Sequence, residues 1–149
     1  QKRPEFGEKI QEELVMATAL EQISQHLQFL GYETEKDENY VSADHPDHGT
    51  INLMAESWGG IVHSIHWSTG NERVENEQVA LRVNEENRYT DVGCFFIDNE
   101  GDLRLYAVYC GAYSKVTYGR FLGKFQQEKS RAEKVGGVVR SFQLGPQSD

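Results

Sequence analysis

Cysteine is almost missing from this chain: Cys94 and Cys110 are the only two. They form no Cys-x-x-Cys pair and no zinc-finger spacing, which excludes a disulfide scaffold. Long apolar runs are missing too. None approaches the roughly 20 residues that span a bilayer, so no membrane helix is expected. Positive charge is scarce, with 15 Lys and Arg against 24 Asp and Glu and a net charge of −9. Gripping nucleic acid needs clustered Lys and Arg to neutralise phosphates, and that balance argues against it. The chain contains no G-x-x-x-x-G-K-[ST] phosphate loop, no G-x-G-x-x-G and no G-x-S-x-G. It opens on Gln1 rather than Met, as it would if a leader or a preceding segment had been removed. Gln1 to Lys9 is polar and has no stretch of signal-peptide type, so a cytoplasmic location is the default expectation.

What is present suits a folded domain. The 149 residues are 38% hydrophobic and 11% aromatic, and a chain of this length buries about two thirds of its unfolded surface. One domain is expected from the length. Apolar residues at Ile10, Leu14, Ala17, Leu20, Ile23, Leu27 and Leu30 step by three and four, the stripe of an amphipathic helix. Gly31 is placed to stop that helix, because glycine tolerates the left-handed cap conformation. Three short strands are expected next, over Tyr40–Asp44, Thr50–Ala55 and Ile61–Ser68, joined by turns at His45–Gly49 and Ser57–Gly60. Thr69-Gly70-Asn71-Glu72 offers a capping signal for a polar helix from about Glu72 to Arg88.

The clearest local signal is a hairpin. Val92–Ile97 and Leu103–Cys110 flank Asp98-Asn99-Glu100-Gly101. A type I turn with Gly101 in the left-handed region sets Asp98 opposite Asp102. Phe95, Ile97, Leu103, Leu105, Ala107 and Tyr109 then share one face. Val92, Cys94, Phe96, Arg104, Tyr106, Val108 and Cys110 share the other. A last helix, capped by Thr117, is expected to run to about Lys134. The expected architecture is therefore α+β, a single domain of order α-β-β-β-α-β-β-α. Its antiparallel sheet carries helices mainly on one face.

Several stretches resemble the YbjN-like family, which shares the type III secretion chaperone-like fold. They are Leu30-Gly31-Tyr32, Val83-Asn84-Glu85-Glu86-Asn87-Arg88, and above all Phe95 to Leu105 across the hairpin. The resemblance covers roughly Ile10 to Lys134, while Gly111-Ala112-Tyr113-Ser114 departs from the family pattern. It implies a domain over 10–135, between a polar tail at 1–9 and a C-terminal tail at 136–149. It also implies a regulatory or chaperone-like protein, acidic and homodimeric, that holds extended segments of partners.

Candidate chemistry is sparse. Asp44, His45, Asp47 and His48 crowd one turn. Pairing of the second and third strands would bring His66 near Thr50, close to His48, so His45, His48 and His66 are the candidate ligands for zinc or a similar ion. Ordinary solvated turn residues are the competing reading. A strand sets His63 and His66 on opposite faces, so they cannot share one ion. Cys94 lies in an apolar strand, where cysteine commonly acts as a small hydrophobe rather than a nucleophile. The acidic residues are scattered over turns and helix surfaces, which gives no recognisable carboxylate pair. Gly119-x-x-x-Gly123 would let another backbone come close, or simply let the last helix pack on its own sheet.

Charge is unevenly placed. Residues 112–140 carry seven Lys or Arg and two Glu, a balance of +5, and residues 1–111 carry eight positive and twenty-one negative, a balance of −13. Such asymmetry orients a partner or a second subunit. The outward hairpin face is the expected docking surface, because a sheet covered on one side normally leaves its other face polar. Here Phe96, Tyr106, Val108 and Arg104 stand on it, an interface composition, with Trp58 in a nearby turn as a further contact. The chain is expected to be non-enzymatic and to need no cofactor. It would bind a protein partner, an extended segment or its own copy, but neither nucleic acid nor membrane. The alternative is a metal- or small-ligand-binding sensor built on the His45–His48 turn, and a hydrolase using Cys94 or a carboxylate pair is the remaining class.

Overall fold

A computed structural model describes residues 19–68, 77–132 and 134–136. The expected tail at 1–9, the first turns of the expected N-terminal helix, the Thr69–Glu72 capping signal and residues 137–149 lie outside the described residues. Helix α1 is described over 19–29. The strands β1 (Glu33–Asp37), β2 (Tyr40–His45), β3 (Gly49–Ala55) and β4 (Ile61–Trp67) follow. Then come α2 (Glu77–Glu86), a 3-10 turn (Asn87–Tyr89), β5 (Gly93–Ile97), β6 (Leu103–Tyr109) and α3 (Lys115–Lys129). The six strands make one antiparallel sheet in the order β1-β2-β3-β4-β6-β5. The fold is α+β, as the alternating patterns required. No helix among the described residues is long and apolar enough to cross a membrane.

The chain divides into two compact units, residues 1–63 with 108–120 and residues 64–107 with 121–149. The division falls inside β4, β6 and α3, not in a linker. In the first unit, Leu20, Ile23 and Leu27 of α1 are buried together with Val41, Ala43, Ile51, Leu53 and Ile61 of the strands. Removal from water contributes about 1.5–3 kcal/mol for each large side chain, before the cost of ordering it. The helix stops where glycine allows it. Gly31 has φ +98°, its N–H reaches the Gln28 carbonyl at 3.0 Å, and the Tyr32 N–H reaches that of Leu27 at 3.0 Å. This pair of bonds satisfies carbonyls that the last turn would otherwise leave open.

In the second unit, the buried set is Ile65, Val79, Val83, Phe95, Leu103, Leu105, Ala107, Leu122 and Phe125. The β5–β6 register is the expected one. Ile97 faces Leu103, Phe96 faces Arg104, Phe95 faces Leu105 and Cys94 faces Tyr106. Burial alternates along β6, with Leu103, Leu105, Ala107 and Tyr109 inward.

Three details differ from expectation. A further strand, β1, precedes the expected three and pairs with β2 from Glu33↔Asp44 to Asp37↔Tyr40. Helix α3 begins at Lys115, two residues before Thr117. Ser114 is its cap, since its Oγ accepts the Thr117 N–H at 3.4 Å. α3 also ends at Lys129 rather than near Lys134, and helical residues resume at 132 and 134–136. Gly136 is helical and buried.

Candidate functional site

The β5–β6 turn is built around one carboxylate. Asp98 Oδ1 accepts the N–H groups of Glu100 at 2.9 Å and Asp102 at 3.0 Å. The Asp98 N–H reaches the Asp102 carbonyl at 2.9 Å, and Gly101 takes φ +84°. Asp98 Oδ2 accepts Arg104 Nε at 2.6 Å. Burial alone would raise the Asp98 carboxyl. The Arg104 hydrogen bond and the two turn amides outweigh it and hold that carboxyl below the usual carboxylate range. Arg104 is thereby fixed in orientation on the outward face.

Beside it, Phe96 and Tyr106 meet edge to face with ring centroids 4.9 Å apart. Tyr106 is 38% exposed, Phe96 and Arg104 are half-buried, and the Cys94 side of the face is exposed. In the second unit, then, the outward hairpin face carries an aromatic pair and a braced arginine at the surface. In the first unit, Trp58 is 63% exposed and Val108 is also exposed. A Cβ on Gly60 would come within 2.4 Å of the Trp58 ring and 2.7 Å of Val108 Cγ1, so these two side chains close over that glycine. Tyr40 and Met54, directly opposite each other on β2 and β3, add further exposed apolar surface there.

The histidines part company. His45 Nδ1 accepts two backbone N–H groups, from Asp47 at 3.0 Å and His48 at 3.2 Å. That nitrogen is therefore an acceptor engaged by its own turn. The His48 ring packs on His45 at 4.5 Å, while a Cβ on Gly31 would lie 3.2 Å from His45 Nε2. His66, in the second unit, has its Nε2 2.8 Å from Asp102 Oδ2. Strand pairing fixes only the face of His66, and a carboxylate distant in sequence captures the ring.

Buried polar groups carry the rest of the local order. His63 is fully buried, with Nδ1 3.0 Å from the Ile61 carbonyl and Nε2 2.8 Å from the Tyr118 hydroxyl. A carbonyl only accepts, so Nδ1 holds the proton and the Tyr118 O–H donates to Nε2. Burial pushes the His63 imidazole down to about 4, against the smaller upward pull of the Ile61 carbonyl.

Two devices escaped the sequence reading. Asn87 lays its amide along β5. Its Oδ1 accepts the Phe95 N–H at 2.7 Å, and its Nδ2 donates to the Phe95 carbonyl at 3.0 Å. The side chain thus stands in for a neighbouring strand at that edge. The opposite edge, β1, is a run of exposed charges including Glu33, Glu35, Lys36 and Asp37. The second device is Glu128 of α3, which is buried and accepts the backbone N–H groups of Asp91 and Val92 on one carboxylate oxygen.

A cleft of about 230 Å³ lies in the second unit, lined by Arg82, Glu86, Arg88, Tyr89 and Lys134 among others. Much of its charge is spent internally: Arg82 pairs with Glu85, and Arg131 and Lys134 with Glu86.

No family model matches the sequence, and no curated protein matches it. Among solved structures, the fold is similar to the crystal structure of YbjN from E. coli, described as a candidate transcription regulator. The TM-score is 0.56 at 13% identity, over 81% of this chain and 88% of that one. At that identity the likeness establishes a YbjN-like fold and nothing finer.

Proposed function

We propose that this chain is a non-enzymatic, protein-binding regulatory domain that docks through the outward face of the β5–β6 hairpin. The observation that carries the proposal is the pair of exposed Tyr106 and half-buried Phe96 beside an arginine already oriented by Asp98. Interface cores are enriched in aromatic and Arg side chains, and a solvated sheet face normally is not. Holding Arg104 in place before docking removes part of the ordering cost of association.

The occupant proposed is a second copy of the chain. A twofold contact brings the same patch from both subunits together, so the patch must complement itself. This one carries both signs: Arg104 lies close enough to Glu100 to feel its charge, and Glu100 is exposed at the turn. Aromatic rings facing their symmetry mates would form the centre, with Arg104 and Glu100 exchanging at the rim. The guarded edges favour face packing over capture of an extended segment as a seventh strand. Regulation through protein contacts also suits the solved structure that shares this fold, described as a candidate transcription regulator. A net charge of −9 disfavours a direct grip on DNA. Sedimentation of the wild-type chain and of Tyr106→Asp tests the proposal. A dimer that the substitution dissociates is expected, and a dimer indifferent to it overturns the docking face.

A further inference from the structure

We propose that His66, Asp98 and Asp102 form a binding site for one divalent transition cation of the zinc class. One potential ligand atom from each residue lies within 4.8 Å of the other two, and among the described residues this is the only such group of three. All three belong to the second unit. His66 comes from β4, while the two aspartates bracket the β5–β6 turn, so three chain positions converge and no single acidic run is involved. The donor set is mixed, one imidazole nitrogen and two carboxylate oxygens. It suits zinc and its transition-metal neighbours, whereas calcium takes oxygen ligands and copper(I) prefers sulfur.

The geometry needs only small movement. Tetrahedral ligands about 2.0–2.2 Å from a cation stand roughly 3.4 Å from one another. His66 Nε2 and Asp102 Oδ2 are now 2.8 Å apart and would separate by about half an ångström as the ion replaces the proton between them. For Nε2 to ligate, the neutral imidazole must carry its hydrogen on Nδ1, so the ring takes the tautomer with Nδ1–H and offers the Nε2 lone pair to the ion. Asp98 already accepts two amides on Oδ1 and Arg104 on Oδ2. A carboxylate offers about four acceptor positions, so Oδ2 retains one. Asp102 is buried and Asp98 half-buried while His66 is exposed, which leaves the fourth position open to water on the solvent side. The same arrangement makes Arg104 a repulsive neighbour of the ion, with Asp98 bridging the two.

The test is calorimetric titration of the full chain with zinc chloride, compared with calcium chloride. It uses the variants His66→Ala, Asp102→Asn, Arg104→Gln, the pair Cys94→Ser with Cys110→Ser, and the pair His45→Ala with His48→Ala. The expected result is one zinc per chain. Affinity falls by more than about tenfold in His66→Ala and Asp102→Asn, the scale on which even outer partners of metal ligands act. It rises in Arg104→Gln and is unchanged in the cysteine and His45/His48 pairs. Should His66→Ala fail to fold, His66→Gln replaces it, with the far-ultraviolet spectrum as control. No binding up to about 1 mM zinc, undiminished binding in the His66 variant, loss confined to the cysteine or His45/His48 pair, or preference for calcium would each overturn the proposal. The measurement involves no partner, so it stands or falls apart from the docking surface.

Discussion

His63 links local chemistry to the stability of the first unit. Its pKa is about 4 when folded, against an ordinary 6.5. The unfolded chain therefore binds a proton that the folded chain refuses. Stability is full above about pH 6.5 and falls progressively toward pH 4, by up to about 3 kcal/mol at 1.36 kcal/mol per unit. Urea unfolding at pH 7.5, 5.5 and 4.5 should show this slope, and His63→Leu should flatten it by one proton. An unchanged slope in that variant would place the acid sensitivity elsewhere. Glu128 makes the second residue-scale prediction. Its Oε1 serves two backbone N–H groups, and its Oε2 is buried with no hydrogen-bond partner among the described residues. Glu128→Ala should cost about 3–6 kcal/mol in urea unfolding, since it removes two bonds and those to a charged acceptor contribute about 1.5–3 kcal/mol each. Gly93 leaves room for this carboxylate, because a Cβ there would stand 2.9 Å from Oε2.

Among elements, the edges separate what a sequence discloses from what it withholds. The β5–β6 hairpin was legible to its register, because Asp98-Asn99-Glu100-Gly101 specifies a turn whose side-chain bonds are all local. Strand β1 was not. Glu33–Asp37 is a charged edge with no alternation of apolar residues, and its turn puts Glu38 at φ +43°, where glycine or asparagine is the usual signal. Thr117 is the expected cap of α3 and Ser114 the observed one, because both hydroxyls suit the position and only the helix start decides between them. Faces were readable throughout β6, but the partner of His66 was not, since Asp102 lies 36 residues away. Asn87 was equally silent, because guarding an edge is a tertiary act. Asn87→Asp keeps the acceptor for Phe95 N–H but loses the donor to its carbonyl, while Asn87→Ala loses both. Urea unfolding should rank them wild type, Asp, Ala, with about 1 kcal/mol for each bond. Faster exchange of the Phe95 amide in Asn87→Ala should accompany the loss.

The molecule as a whole combines a YbjN-like fold with a charged β1 edge and an outward hairpin face that carries aromatic and arginine side chains. The outer edge of β1 is charged and Asn87 occupies the Phe95 backbone groups on β5, which favours the proposed association through side chains on the hairpin face. Opposite charge balances in residues 1–111 and 112–140 would then influence encounter rate and salt dependence more than the final affinity. The most direct measurement is native mass spectrometry of the full chain beside Tyr106→Asp, both purified under mild conditions. The account predicts a dimer of unmodified subunits that becomes a folded monomer in the variant. A wild-type chain that stays monomeric at high concentration, or a dimer that persists in Tyr106→Asp, would contradict it.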